Sequence, residues 1–338
     1  MADSHRSDAA RWVQFVEKGG LVDPLAEALD EAHRPLGRAP DELIGLGRRQ
    51  FLKITGGLVA SGFLGLSFTA CDKVIEEIIN AIKNRPVRRN VAGMAATDPI
   101  IQSWKAAITA MQALPQADRR NWSRQANIHN DSCRHQSWLF FPWHRGQLLY
   151  FEQICRQLSG NATFALPYWD WSANPQIPSL FFEVGSPLNH SPRSAGASST
   201  ASSASVGQPV VDGIMAETNF ILFAGQALPE DATDQFGPGP GRVEQTPHNH
   251  IHGFVGGTMS SFVSPLDPIF WVHHNQIEHL WVRWNVTMGN ANTNSNDWLR
   301  SDFNGDFCDK DGSDVNVSVS TLLLAPLLAY RFDTQEAV

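Results

Sequence analysis

The sequence predicts a mainly α-helical protein built on a central four-helix bundle, with long loops and a few short strands. Three observations point there. Several segments space their apolar residues as one helix face does, with Asp, Pro or Gly at their ends. Histidines gather in two stretches, 129–144 and 248–279, each on or beside a predicted helix. Bundles hold metal sites between facing helices.

The elements follow in chain order. Residues 1–47 form a polar, acidic leader with a weak helical pattern. Residues 48–71 begin "RRQFLK" and continue as a Gly-rich apolar run from Ile54 to Ala70. Two arginines before such a run predict a twin-arginine export signal, with a membrane anchor or a buried helix as the other readings. The run is short for a stable span of about 20 residues. Export to the periplasm or outside the cell is the expectation, with a membrane tether as the alternative. Residues 72–84 read as a helical connector, and the main domain is expected over 85–335.

Within that domain, "DPIIQSWKAAITAMQAL" places Ile100, Trp104, Ala107, Ile108 and Met111 on one helix face. "DRRNWSRQANIH" predicts a second helix ending near His129. "PWHRGQLLYFEQICRQL" predicts a third with Pro142 in its first turn. Segment 189–208 is rich in Ser, Ala and Gly and reads as a surface loop, and "DQFGPGPGR" as another. "TPHNHIHGFVGG" predicts a short helix from Pro247 that stops at Gly256 and Gly257. "DPIFWVHHNQIEHLWVRWN" predicts a long amphipathic helix with an Asp cap. The alternation in "DVNVSVSTLLLAPLLAYRF" predicts a strand or two.

The chain is 42% apolar, with 11 Trp and 19 Phe, which supplies a large core. A net charge of -8 and the lack of a basic aromatic stripe argue against a nucleic-acid partner. None of Cys71, Cys133, Cys155 and Cys308 forms a CxxC pair, which argues against a zinc ribbon or a dithiol redox motif. Cys155 and Cys308 read either as free thiols or as a disulfide.

His248 and His252 lie four apart, one turn apart on the same helix face. His274, on the next helix, completes a group of three. His129, His135 and His144 make a second group. Imidazoles without carboxylates favour copper or zinc over magnesium or calcium. HExxH is absent, because Asn249 follows His248.

"NWSRQANIH", "SWLFFPWHR" and "LPYWDW" resemble the first copper motif of the type 3 copper proteins, the family of tyrosinase, catechol oxidase and polyphenol oxidase. "EQTPHNHIHGFVGG" and "LDPIFWVHHNQIEHLW" resemble the second. The resemblance implies a helical domain around two copper ions that uses O2 to oxidise small phenols or catechols to o-quinones. It implies His129, His135 and His144 as ligands of copper A, and His248, His252 and His274 as ligands of copper B. In the family's "HH" pair the second residue is the ligand, so His273 stands behind it. Phe270 resembles the buried ring against the ligand imidazoles. Trp138, Phe140, Phe141 and Trp143 are expected to pack around copper A. Asp267 is expected to cap its helix, and His250 and His279 to be exposed or hydrogen-bonded.

The resemblance gives Cys133 a role too. "CRH" matches a spacing at which family members join Cys to the middle copper A histidine, here His135, by a thioether. Five residues separate His129 from His135, fewer than in the family's usual loop. Glu244 and Asn249 match the pair that holds a water thought to help deprotonate a monophenol, which implies some ortho-hydroxylation. Phe262 lies where plant-type enzymes place a gate over the copper. "YRF" at Tyr330–Phe332 resembles the element closing the catalytic domain, so a short form without the C-terminal shielding domain is expected. The alternatives are a catechol oxidase without hydroxylase activity, a haemocyanin-like O2 carrier, and a zinc hydrolase.

Overall fold

The computed structural model describes residues 84–228 and 235–335. The leader, the candidate export signal, Cys71 and most of the connector lie outside the described residues. The described residues fall into two compact units, 88–319 and 84–87 with 320–335.

In the larger unit, four long helices build the core. Helix α1 spans Pro99–Ala113. Its start is set by Asp98, whose Oδ1 accepts from the Ile100 amide at 2.9 Å, and by Pro99, which needs no amide partner there. The buried face is Ile101, Trp104, Ala107, Ile108 and Met111. The expected stripe was right except at its first position, where Ile101 replaces Ile100. Helix α2, Trp122–Ser132, starts on the Asn121 side chain and runs three residues past His129. Helix α3, Phe140–Ser159, ends at Gly160, whose φ of 70° breaks the helix. It is buried continuously from Phe140 to Cys155.

A π-helical turn at Glu244–His248 leads into helix α4, Asn249–Val255. Helix α5, Ile269–Val282, follows Asp267, which accepts from the Ile269 amide at 3.0 Å. The expected amphipathic pattern fails here, because every residue of α5 is buried. One side stacks on α3, with Trp271 and Phe151 rings 3.4 Å apart at 11°. Another is covered by segment 166–171: Trp169 donates its amide to the Val272 carbonyl, and Asn275 donates to the carbonyls of Leu166 and Pro167. A helix enclosed on all sides has no polar stripe to display.

The C-terminal alternation yields less β-structure than expected. Asp302 with Ser318, and Cys308 with Asp314, form isolated antiparallel bridges. Short helices at Val319–Leu322 and Ala325–Leu328 follow. In the smaller unit the Arg331 amide donates to the Pro86 carbonyl, one rung of a two-residue strand pairing. No helix among the described residues is long and apolar enough to cross a membrane.

Candidate metal centre

The two predicted histidine groups meet side by side, carried by α2, α3, the π-helical turn before α4, α4, α5 and the loop between α2 and α3. In the first, ring centroids lie 5.3 Å apart for His129 and His135, 5.0 Å for His135 and His144, and 5.5 Å for His129 and His144. In the second they lie 4.5 Å apart for His248 and His252, 4.9 Å for His248 and His274, and 5.4 Å for His252 and His274. The groups touch where His144 stacks on His274 at 4.4 Å and 18°. Nitrogens of His248, His252, His273 and His274 lie within 4.8 Å of one another, as do those of His129, His144 and His274, while His135 groups with His129 and the Cys133 sulfur.

Hydrogen bonds fix how the rings face. The Nδ1 atoms of His129, His144 and His252 lie 2.7, 2.7 and 2.6 Å from the carbonyls of Phe262, Phe140 and Met259. His248 Nδ1 lies 2.9 Å from Asn249 Oδ1. A carbonyl only accepts, so each Nδ1 carries the hydrogen and each Nε2 keeps its lone pair. The Nε2 atoms of His129, His144 and His248 are buried with no hydrogen-bond partner. His252 Nε2 and His274 Nε2 face each other at 3.1 Å. Trp171 donates its indole hydrogen to His273 Nδ1 at 3.2 Å, which puts the His273 hydrogen on Nε2 instead.

Burial sets the electrostatics. Loss of hydration pulls His129 down to about 3 and His252 to about 4, against their carbonyl bonds. The same cause holds His135, His144, His248 and His274 well below the usual imidazole value. All are neutral near pH 7, the form that binds a metal. Phe270 lies fully buried 4.1 Å from His274 and 5.0 Å from His129. Phe140 lies 4.7 Å from His144 and 4.9 Å from His248. Trp143 packs on His144 and His129 and donates its indole hydrogen to Asp306. Phe141 departs from expectation: it turns from the histidines to pack on Phe223 and Trp281.

The remaining candidates have defined partners. Glu244 is buried, and both its oxygens accept from the Gln136 amide, at 2.8 and 2.9 Å. Desolvation pushes its carboxyl up to about 8, with the Gln136 bond opposing. Gln136 has a φ of 55°, a strained value for a residue other than Gly. Asp267 caps α5 and also pairs with Arg193 through two 2.7 Å contacts. His250 accepts from the Ser202 amide, and His279 bonds to Gln276. Cys133, Cys155 and Cys308 are free and buried. Burial pushes the Cys133 thiol up to about 12, and its sulfur lies within 4.8 Å of nitrogens of His129 and His135. Phe262 stacks on His129 at 6.5 Å and lies 6.4 Å from His135. Phe236 stacks on His135 at 6.1 Å and escaped the sequence reading, which saw only a Gly-Pro loop. Its one signal was an aromatic ring in a segment otherwise built for turning.

Comparison with known proteins places the chain in a family. The family model "Common central domain of tyrosinase" matches residues 108–242 and 187–287, together more than half of the chain. Polyphenol oxidase A1, chloroplastic, of Vicia faba is 28% identical over 291 residues, covering 74% of this chain and 48% of the relative. (+)-Larreatricin hydroxylase, chloroplastic, of Larrea tridentata is 28% identical over 318 residues, covering 79% and 53%. The crystal structure of Grenache (Vitis vinifera) polyphenol oxidase superposes with a TM-score of 0.67 at 27% identity, covering 75% of this chain and 86% of that one. The chain spans about half the length of these curated relatives. It belongs to the tyrosinase and polyphenol oxidase family of type 3 copper proteins.

Proposed function

We propose that this chain is a polyphenol oxidase that oxidises o-diphenols to o-quinones with O2 at a dicopper centre, with some ortho-hydroxylation of monophenols. His129, His135 and His144 would hold one copper, and His248, His252 and His274 the other. One observation carries the reading: the buried, unpartnered Nε2 lone pairs of His129, His144 and His248 stand together while their Nδ1 hydrogens are tied down by acceptors. Unpartnered buried acceptors cost stability, so a neutral imidazole set of this kind suits copper. Bound copper supplies O2 binding and two-electron transfer.

The chain's own residues supply placement and dryness. The carbonyls of Phe262, Phe140 and Met259 and the Asn249 amide orient their rings. Phe140 and Phe270 wall the rings off from water. The Trp171 bond makes His273 a poorer ligand than His274. Glu244 and Asn249 carry the hydroxylase part of the reading, through the Glu244 lone pairs and the Asn249 Nδ2 left after the bonds above. The name of the Larrea relative, a hydroxylase, favours this part. A thioether between Cys133 and His135 would replace an S–H and a ring C–H, with O2 as the two-electron acceptor. We also read residues 48–71 as an export signal and 85–335 as the catalytic region, on the sequence alone.

The test is copper reconstitution, metal analysis and paired assays on a monophenol and its diphenol. Two coppers per chain and quinone from the diphenol are expected. A copper-loaded chain that forms no quinone would sink the reading and favour an O2 carrier. Quinone from the diphenol alone would leave a catechol oxidase.

A further inference from the structure

Two exposed aromatic rings stand over the first histidine group. Phe236 and Phe262 are each 44% exposed, although most other Phe side chains among the described residues are buried. They meet edge to face, 5.5 Å apart at 76°. Phe236 lies nearly parallel to the His135 ring, at 25°, and Phe262 meets the same ring at 68°. Together they form an L-shaped apolar mouth beside His135.

Both rings are anchored through main chain to that group. The His135 amide donates to the Gln235 carbonyl at 2.8 Å, and the Gly237 amide donates to the His135 carbonyl at 2.9 Å. Phe236 is thus bracketed by bonds to His135 on both sides. The Gly239 amide donates to the Gln136 carbonyl at 2.9 Å and extends the pairing. Gly237 permits the close approach, since a Cβ there would lie 2.5 Å from Ser137 Cβ and 2.6 Å from the Gln136 carbonyl oxygen. Phe262 is held by its own carbonyl, which takes the His129 Nδ1 hydrogen. Rings held this way do not have to be ordered when a ligand arrives, which removes part of the cost of binding.

We propose that Phe236 is a specificity-determining residue that, with Phe262, clamps the aromatic ring of the substrate at the entrance to the metal centre. Its exposed surface offers an aromatic face to the substrate ring itself rather than to the hydroxyl groups. The proposal rests on the phenol-oxidising reading for the identity of its ligand. An aromatic pair contributes about 0.5–1.5 kcal/mol beyond burial, so losing one jaw corresponds to roughly a 2- to 12-fold loss of binding.

The test uses the full chain with Phe236→Leu, which keeps apolar volume but removes the ring face, and Phe236→Ala. In copper-loaded protein, KM for 4-methylcatechol should rise about 3- to 10-fold, with kcat within about 2-fold, two coppers per chain retained and KM for O2 unchanged. In metal-free protein, ligand-observed NMR should show p-cresol binding that both variants weaken. Unchanged KM and unchanged p-cresol binding overturn the clamp, as does a wild-type protein that binds no p-cresol. If the wild type binds p-cresol, the variants do not, and no quinone forms, the clamp stands and the oxidase reading fails.

Discussion

Breaking one buried ion pair should loosen the two helices that carry His144 and His274. Arg145 follows His144 on α3, and Glu278 lies one turn after His274 on α5. Arg145 Nε reaches the two Glu278 oxygens at 2.9 and 3.1 Å, and a terminal guanidinium nitrogen reaches Oε1 at 2.8 Å. The side chains are 3% and 2% exposed, and the guanidinium lies 3.5 Å from the Trp281 ring centroid. Glu278→Gln keeps shape and one acceptor but leaves the cation without its carboxylate. Removing one partner of a buried pair costs about 3–5 kcal/mol. The retained acceptor and the Trp281 ring put this case near the low end, about 3 kcal/mol. With a urea slope near 3 kcal/mol per molar, the midpoint of the metal-free protein should fall by about 1 M. Replacing the pair by Arg145→Met with Glu278→Leu should cost less than the sum of the single changes, because no charge is stranded. Tryptophan fluorescence in urea measures all of these. A Glu278→Gln cost below about 1 kcal/mol, or additive single changes, would refute the reasoning.

Three further outcomes are expected. The buried histidines have depressed values, so metal-free stability should fall as pH drops from about 6.5 toward the 3 of His129 and the 4 of His252. Glu244 has a raised value, so its contribution is lost as pH rises from 4.5 to about 8; the six histidines outweigh it up to about pH 7, so stability should peak just above that pH and decline beyond it. Glu244→Gln should abolish that alkaline decline in urea titrations, and a decline that persists assigns it elsewhere. Gly257 has a φ of +58°, and a Cβ there would lie 1.9 Å from the Pro192 carbonyl oxygen. Gly257→Ala should therefore cost at least the roughly 1–2 kcal/mol of left-handed strain, seen as a melting point lower by about 2 °C or more. Intact mass after copper and O2 treatment should fall by two hydrogens, and Cys133→Ser should abolish the loss; an unchanged wild-type mass rules the thioether out.

Local spacing was the part of this molecule legible in the sequence. His248 and His252 share a helix face through a four-residue step, and Asp98 with Pro99 marks a helix start. Contacts between loops distant in sequence were not legible. Phe236 meets His135 across about a hundred residues, and no periodicity reports such a pairing. Asn249 was expected to hold a water, and its oxygen is taken by the neighbouring His248. Pattern also misled where the surroundings override it. Segment 166–171 covers the face of α5 that an amphipathic helix shows to solvent. The valines at 315, 317 and 319 alternate but find only isolated bridges, so no sheet grows from them.

The segment Met259–Phe262 has a thermodynamic consequence. Its first carbonyl orients His252 of one group, and its last orients His129 of the other. One ion that stiffens its own ligands also stiffens this strap, so the second ion meets a partner ring already held in place. Less conformational entropy remains to be lost at the second step. Two ions held at these groups would therefore be coupled through this strap, the first favouring the second.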